Sequence, residues 1–151
     1  MDKKLEAKLV EKYPVLYSQY GGDIKETCMG WGMTCGDGWF KLIDELSKKL
    51  EPLNVVAEQV KEKLGGLRFY IVPCDNYAFD KADDTSAFDK ANALTHEASY
   101  ESYKICETCG QPGELRRGGW MTTACDRCQK LYEEGKDPIK QPEEFGLPLT
   151  E

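Results

Sequence analysis

Histidine is almost missing from this chain: His96 is the only one in 151 residues. That scarcity leaves no second imidazole for a two-histidine metal centre and no placed Ser-His-Asp or Cys-His arrangement, so the common nucleophilic chemistries are not expected. Positive charge is also in short supply. Twenty Lys and Arg stand against 27 Asp and Glu, a net charge of -7. Nonspecific binding to nucleic acid or anionic membrane is disfavoured, because both rest on cationic surface that displaces counterions. No apolar run approaches the roughly 20 residues that span a bilayer. The N-terminal stretch MDKKLEAKLVEKY is charged and amphipathic, without the apolar core of a signal peptide. A cytoplasmic protein with no membrane partner is the expectation.

What the chain does have is apolar residues at 40%, with eight Tyr, five Phe and three Trp, enough to offset the ordering entropy of a folded core. Leu5, Leu9 and Val10 share a stripe at helical spacing that predicts a first helix over 2–13, closed by Pro14. The stretch from Gly21 to Gly38 holds six glycines and reads as a loop. Asp37 then caps a second helix with Trp39, Phe40, Ile43, Leu46 and Leu50 on one face, ended by Pro52. Residues 55–63 fit either a helix face or a strand, and a hairpin is preferred, turning at Gly65-Gly66 into the strand-favouring Phe69, Tyr70, Ile71 and Val72. After an acidic, irregular segment over 75–84, Ser86 and Asp89 form a capping box for a third helix reaching about Tyr103. The tail DPIKQPEEFGLPLTE has three prolines and no apolar periodicity, so it is expected to be extended or disordered. The organisation predicted is an α+β domain over 1–103, a zinc finger over 104–134 and a tail over 135–151.

Seven cysteines are many for a chain with no sign of secretion, and the odd number argues against a disulfide framework. Four of them form C-E-T-C, fifteen intervening residues, then C-D-R-C, a spacing that fits a four-cysteine zinc site made by Cys106, Cys109, Cys125 and Cys128. Each C-x-x-C lets a tight turn present two thiolates about 3.5 to 4 Å apart, as tetrahedral Zn–S bonds of about 2.3 Å require. Between the pairs, ELRR and GWMTTA are joined by Gly118-Gly119 and read as a hairpin; QKLYEE beyond them reads as a helix. Knuckle, hairpin and helix resemble a treble-clef finger. Four thiolates fill the coordination sphere, so one structural zinc ion is expected rather than a catalytic one.

Other candidates are weaker. Cys28, Cys35 and Cys74 lack knuckle spacing, and a second metal site including His96 is set below their reading as buried apolar bulk. Asp23, Asp37 and Asp44 read as caps or solvated groups. Trp120 is expected to pack over the metal site, and Arg68 to lie on a solvated or ion-paired face. Arg116, Arg117, Arg127 and Lys130 are the candidate contacts to nucleic acid or another partner, with binding resting on how they cluster. Asp80, Asp83, Asp84 and Asp89 read as a solvated face, with phosphate mimicry as the minority alternative.

The segments ETCMGWGMTCGDGWF, VVAEQVKEKLGGLRFY and YKICETCGQPGELRRGGWMTTACDRC together resemble a group of small uncharacterised proteins encoded in bacteriophage and prophage genomes, over most of residues 10–130. The resemblance implies a phage setting, hence the cytoplasm of a bacterial host cell, and a C-terminal zinc finger; it carries no activity. The expected role is non-enzymatic binding of a host or phage macromolecule, with inhibition of a host enzyme or of a defence system such as CRISPR as the specific form. A nucleic-acid-binding regulator is the alternative, followed by a thiol-redox protein. The partner's identity and the oligomeric state are not legible in the sequence.

Overall fold

The computed structural model describes residues 1–74 and 85–138. Four helices, α1 (Lys3–Lys12), α2 (Phe40–Leu50), α3 (Thr85–Ser102) and α4 (Asp126–Glu133), alternate with five strands. These are β1 (Met33–Thr34), β2 (Val55–Lys63), β3 (Gly66–Pro73), β4 (Glu114–Arg116) and β5 (Thr122–Ala124). The first three form a sheet in the order β1-β2-β3, parallel between β1 and β2 and antiparallel between β2 and β3; β4 and β5 pair separately. The expected α+β class, with a hairpin and a treble-clef-like finger at the C-terminal end, is the fold observed.

The main core gathers the buried faces of α1, α2, β2 and β3 around Trp39, with Leu9, Tyr17, Ile43, Leu50, Val60 and Leu67 almost wholly out of water. Alternation in β3 places Leu67, Phe69 and Ile71 inward and leaves Arg68 and Tyr70 on the opposite face. Helix α3 contributes Ala91 and Ala98, small residues that let it lie close against α2 and β3. One polar chain crosses this core: the Tyr17 hydroxyl lies 2.6 Å from Ser47 Oγ, which in turn donates to the Ile43 carbonyl at 2.7 Å. Burial raises the Tyr17 pKa well above its usual range.

Residues 55–63 are a strand, and the hairpin is confirmed with its turn one residue earlier than expected. Leu64 and Gly65 both have positive φ, 53° and 79°, the signature of a two-residue type I′ turn. Gly66 is already in β3, paired with Lys63, and there the Tyr103 ring occupies the space a Cβ would need. Asp37 does not cap α2. It sits in a 3₁₀ turn (Asp37–Trp39) ahead of that helix and accepts the Asp2 N–H at 2.7 Å. The glycine-rich stretch is more ordered than a loop, with a 3₁₀ turn at Cys28–Trp31 and β1 within it. Helix α3 already includes Thr85, so Ser86 lies inside it and not at its cap. The expectations for 75–84 and 139–151 fall outside the described residues.

Glu6 is the unanticipated buried charge. Only 1% exposed, it accepts from Lys3 Nζ at 2.9 Å, from the Tyr20 hydroxyl at 2.5 Å and from the Met33 N–H at 3.1 Å. Those three donors satisfy a carboxylate that would otherwise be costly to bury, and they fix β1 against α1.

Candidate metal centre

The chain leaves α3 at Ser102 and enters a knuckle that begins with the bridge between Ile105 and Pro112. Cys106 N–H donates to the Gln111 carbonyl at 2.8 Å, and Gly110 N–H returns to the Cys106 carbonyl at 2.9 Å. Gly110 has φ of 75°, a conformation open to glycine at little steric cost. This closed turn presents the first cysteine pair. The second pair is supplied by α4: Cys125 is its N-cap, and its sulfur accepts the Cys128 N–H at 3.4 Å. A helix N-terminus favours thiolate charge.

All four sulfurs lie within 4.8 Å of one another, and Cys109 Sγ is 3.6 Å from Cys125 Sγ. Tetrahedral Zn–S bonds of about 2.3 Å place sulfurs roughly 3.8 Å apart, so the donor set and its dimensions fit zinc. Cys106 and Cys128 are fully buried, while Cys109 and Cys125 are half-buried. The Cys109 thiol and the surrounding backbone N–H groups pull the Cys106 pKa well below the ordinary thiol range. The hydrogen bond with Cys106, then burial, push Cys109 upward, and burial, then the charge of Cys106, push Cys128 upward. A divalent cation held by the four sulfurs would supply the positive charge that favours the thiolate form of each.

The knuckle is built against the N-terminal core rather than hung from it. Trp39 Nε1–H donates to the Ile105 carbonyl at 2.9 Å, Gly38 N–H to the Glu107 carbonyl at 2.7 Å, and Gly36 N–H to Glu107 Oε1 at 2.9 Å. A Cβ on Gly36 would collide with the Glu107 carbonyl, and one on Gly38 with the Cys106 carbonyl. On the other flank Thr123 Oγ1 donates to the Gly65 carbonyl at 2.5 Å. CGDGW and the β2–β3 turn therefore form the seat of the metal module. Residues from 26–40, 55–70 and 103–128 thus meet here. Burial lifts the Glu107 pKa, against the pull of the Gly36 N–H.

The remaining candidates are dispersed. Arg116 is tied down within the finger, pairing with Glu114 at 2.7 Å and Asp126 at 2.5 Å while donating to the Ala124 carbonyl at 3.1 Å. Arg117 and Lys130 are exposed, and Arg127 is half-buried on α4 and engaged in contacts of its own. Trp120 does not cover the metal site: it is 81% exposed at the tip of the β4–β5 hairpin, because the two-glycine connection carries it outward. Cys28 is exposed, Cys35 buried, Cys74 intermediate and His96 exposed; among the described residues they join no ligand cluster. Burial raises the Cys35 thiol to about 12, as for an inert core cysteine. Asp23 accepts the Lys25 N–H, and Asp44 accepts from Lys12 and Tyr13, so these carboxylates do local structural work.

Arg68 is the residue that residue-by-residue reading undervalued. It makes no ion pair among the described residues and donates instead to the Leu67 carbonyl, Ser99 Oγ and the Tyr103 hydroxyl at 3.1, 2.8 and 3.2 Å. Ser99 on α3 and Tyr103 just beyond it reach Arg68 only because α3 packs on β3.

Among the described residues no helix is long and apolar enough to cross a membrane. Comparison of the chain with protein-family models, with curated proteins and with solved structures finds no match in any of the three.

Proposed function

We propose that this chain is a non-catalytic binding protein of phage type, stapled by one structural zinc ion, that acts in the bacterial cytoplasm on a host or phage macromolecule, a protein first of all. The observation that carries the reading is the cysteine cluster: four sulfurs use every position of a tetrahedral ion and leave none for water or substrate. Its first ligand pair sits on a knuckle seated against the core and its second on α4, so the metal fixes shape and leaves recognition to the surface. Inhibition of a host enzyme or of a defence system such as CRISPR is the form of action we assign.

Elemental analysis of the purified chain should give one zinc per molecule, and tagged protein incubated in bacterial lysate should retain a stoichiometric protein after nuclease treatment. Reactive thiols at all four positions without metal would remove the zinc assignment. Retention only in the absence of nuclease would favour a nucleic-acid regulator, a reading to which exposed Arg117 and Trp120 at one hairpin tip lend support. In that case Arg117→Ala with Trp120→Ala should abolish a strongly salt-dependent affinity.

A further inference from the structure

Among the described residues strand β3 is an edge of its sheet. It pairs with β2 on one side, and among the described residues no strand pairs on the other. The two-residue turn sets which groups face outward: Lys63 and Gly66 close the hairpin, so Leu67 and Phe69 direct their N–H and C=O groups away from β2. Ser102 at the end of α3 takes up the Leu67 N–H at 2.9 Å. From there a groove of about 480 Å³ opens between strand and helix, within the range of about 300 to 1,000 Å³ typical of ligand sites. Its strand side is the unbroken run 67–71; its helix side is Asn92, Thr95, His96, Ser99, Tyr100 and Tyr103, one stripe at helical spacing. A run of consecutive strand residues brings backbone as well as side chains into the groove.

The groove's charge is unbalanced. Arg68 on β3 faces Lys61 on β2 directly across the ladder, and like charges in that position destabilise a sheet. Neither makes an ion pair among the described residues; Arg68 is held by the neutral oxygens of Leu67, Ser99 and Tyr103, and Lys61 Nζ lies 5.6 Å from the Tyr70 ring centre. A guanidinium half-buried on neutral acceptors retains its attraction for an anion.

We infer that the groove between β3 and α3 takes an extended peptide segment of a partner protein, added as a further strand on the free edge of β3, with one carboxylate of the segment on Arg68. This rests on the reading of the chain as a protein-binding module and names its surface. Main-chain hydrogen bonds to Phe69 supply affinity, while Tyr100, 72% exposed on the rim, covers alternate side chains. The net charge of -7 repels polyacidic partners at long range, so a single local carboxylate suits the site.

The test is selection of a displayed random heptapeptide library on the full, zinc-loaded chain, followed by titration of the enriched sequence as a synthetic peptide. The expected result is enrichment of strand-forming sequences with one Asp or Glu at a fixed position. Affinity should then fall about tenfold or more with Arg68→Gln, and equally when an inward amide of the peptide is N-methylated. Tyr100→Glu, at an exposed position, should weaken binding by charge repulsion while leaving the fold intact by circular dichroism. No enrichment, or an affinity indifferent to Arg68→Gln and Tyr100→Glu, overturns the inference; indifference to N-methylation replaces strand addition with simple anion binding and also overturns it. Success or failure of lysate capture is a separate outcome and bears on the binding reading alone.

Discussion

Gly38 has no room for a side chain. Its Cα faces the Cys106 carbonyl and the Gly110 amide, and its own N–H donates to Glu107. Gly38→Ala therefore forces the knuckle away from its seat, at a cost of about 1 to 3 kcal/mol. Gly118→Ala, where a methyl group meets nothing within 4 Å, should stay within about 0.5 kcal/mol of the parent. Urea unfolding of the two variants measures the contrast, and equal midpoints would show that the seat is not a packed interface. At this scale the metal ligands were legible, because C-x-x-C spacing is a local geometric demand. The roles of Gly36 and Gly38 were not, since a glycine written as loop material looks the same as one excluded by a neighbour seventy residues away. Glu6 was hidden for a like reason: beside its helix neighbour Lys3, its other two donors, Tyr20 and Met33, come from elsewhere in the chain, and only their meeting makes a buried carboxylate tolerable.

Helices α1 and α2 are tethered at Asp44, which accepts from Lys12 Nζ at 2.8 Å and the Tyr13 hydroxyl at 2.8 Å. Partial burial pushes the Asp44 pKa up, but the hydrogen bonds from Lys12 and Tyr13 outweigh it and hold the group below its ordinary value. A carboxylate depressed in the folded state contributes stability above its unfolded pKa, about 3.9, and loses that contribution as pH falls through the lower folded value. Asp44→Asn should thus be less stable than the parent at neutral pH, with the gap closing below about pH 4. Differencing the two proteins cancels the metal loss that acid brings to both. A gap that persists unchanged at pH 3 would mean that the contact is not ionic. Elements themselves were legible where the pattern was unambiguous: α1 and α2 follow from their apolar stripes and β3 from its strand-favouring residues, whereas 55–63 fitted helix and strand alike and only the structure decides it. Strand β1 was not legible, because two residues carry no period, and it exists only because β2 offers an edge. The hairpin turns at Leu64-Gly65, both at positive φ, and the second glycine, Gly66, serves a different need, the close approach of the Tyr103 ring.

The molecule as a whole couples its cysteine cluster to its core. Two apolar clusters exist, a large one around Trp39 and a small one of Cys106, Ala124 and Cys128, which by composition alone would predict independent melting of the C-terminal third. The hydrogen bonds from Trp39, Gly38, Gly36 and Thr123 across the boundary argue otherwise. Ile105 also packs on the large cluster while its neighbour Cys106 belongs to the small one. Metal that binds only the native arrangement stabilises everything that unfolds with it. Stripping the metal with a chelator at neutral pH should therefore lower the unfolding temperature of the entire chain in a single transition. Near-ultraviolet dichroism from buried Trp39 should be lost together with the far-ultraviolet signal of the helices, and added zinc should restore both. Cys109→Ser should reproduce the apo curve and resist rescue. If Trp39 keeps its native signal after the knuckle has lost its metal, the finger is an appendage, and Gly36 and Gly38 only accommodate it; if the signals collapse together, zinc holds the walls of the β3–α3 groove as well, through Gly65 on one side and Tyr103 on the other.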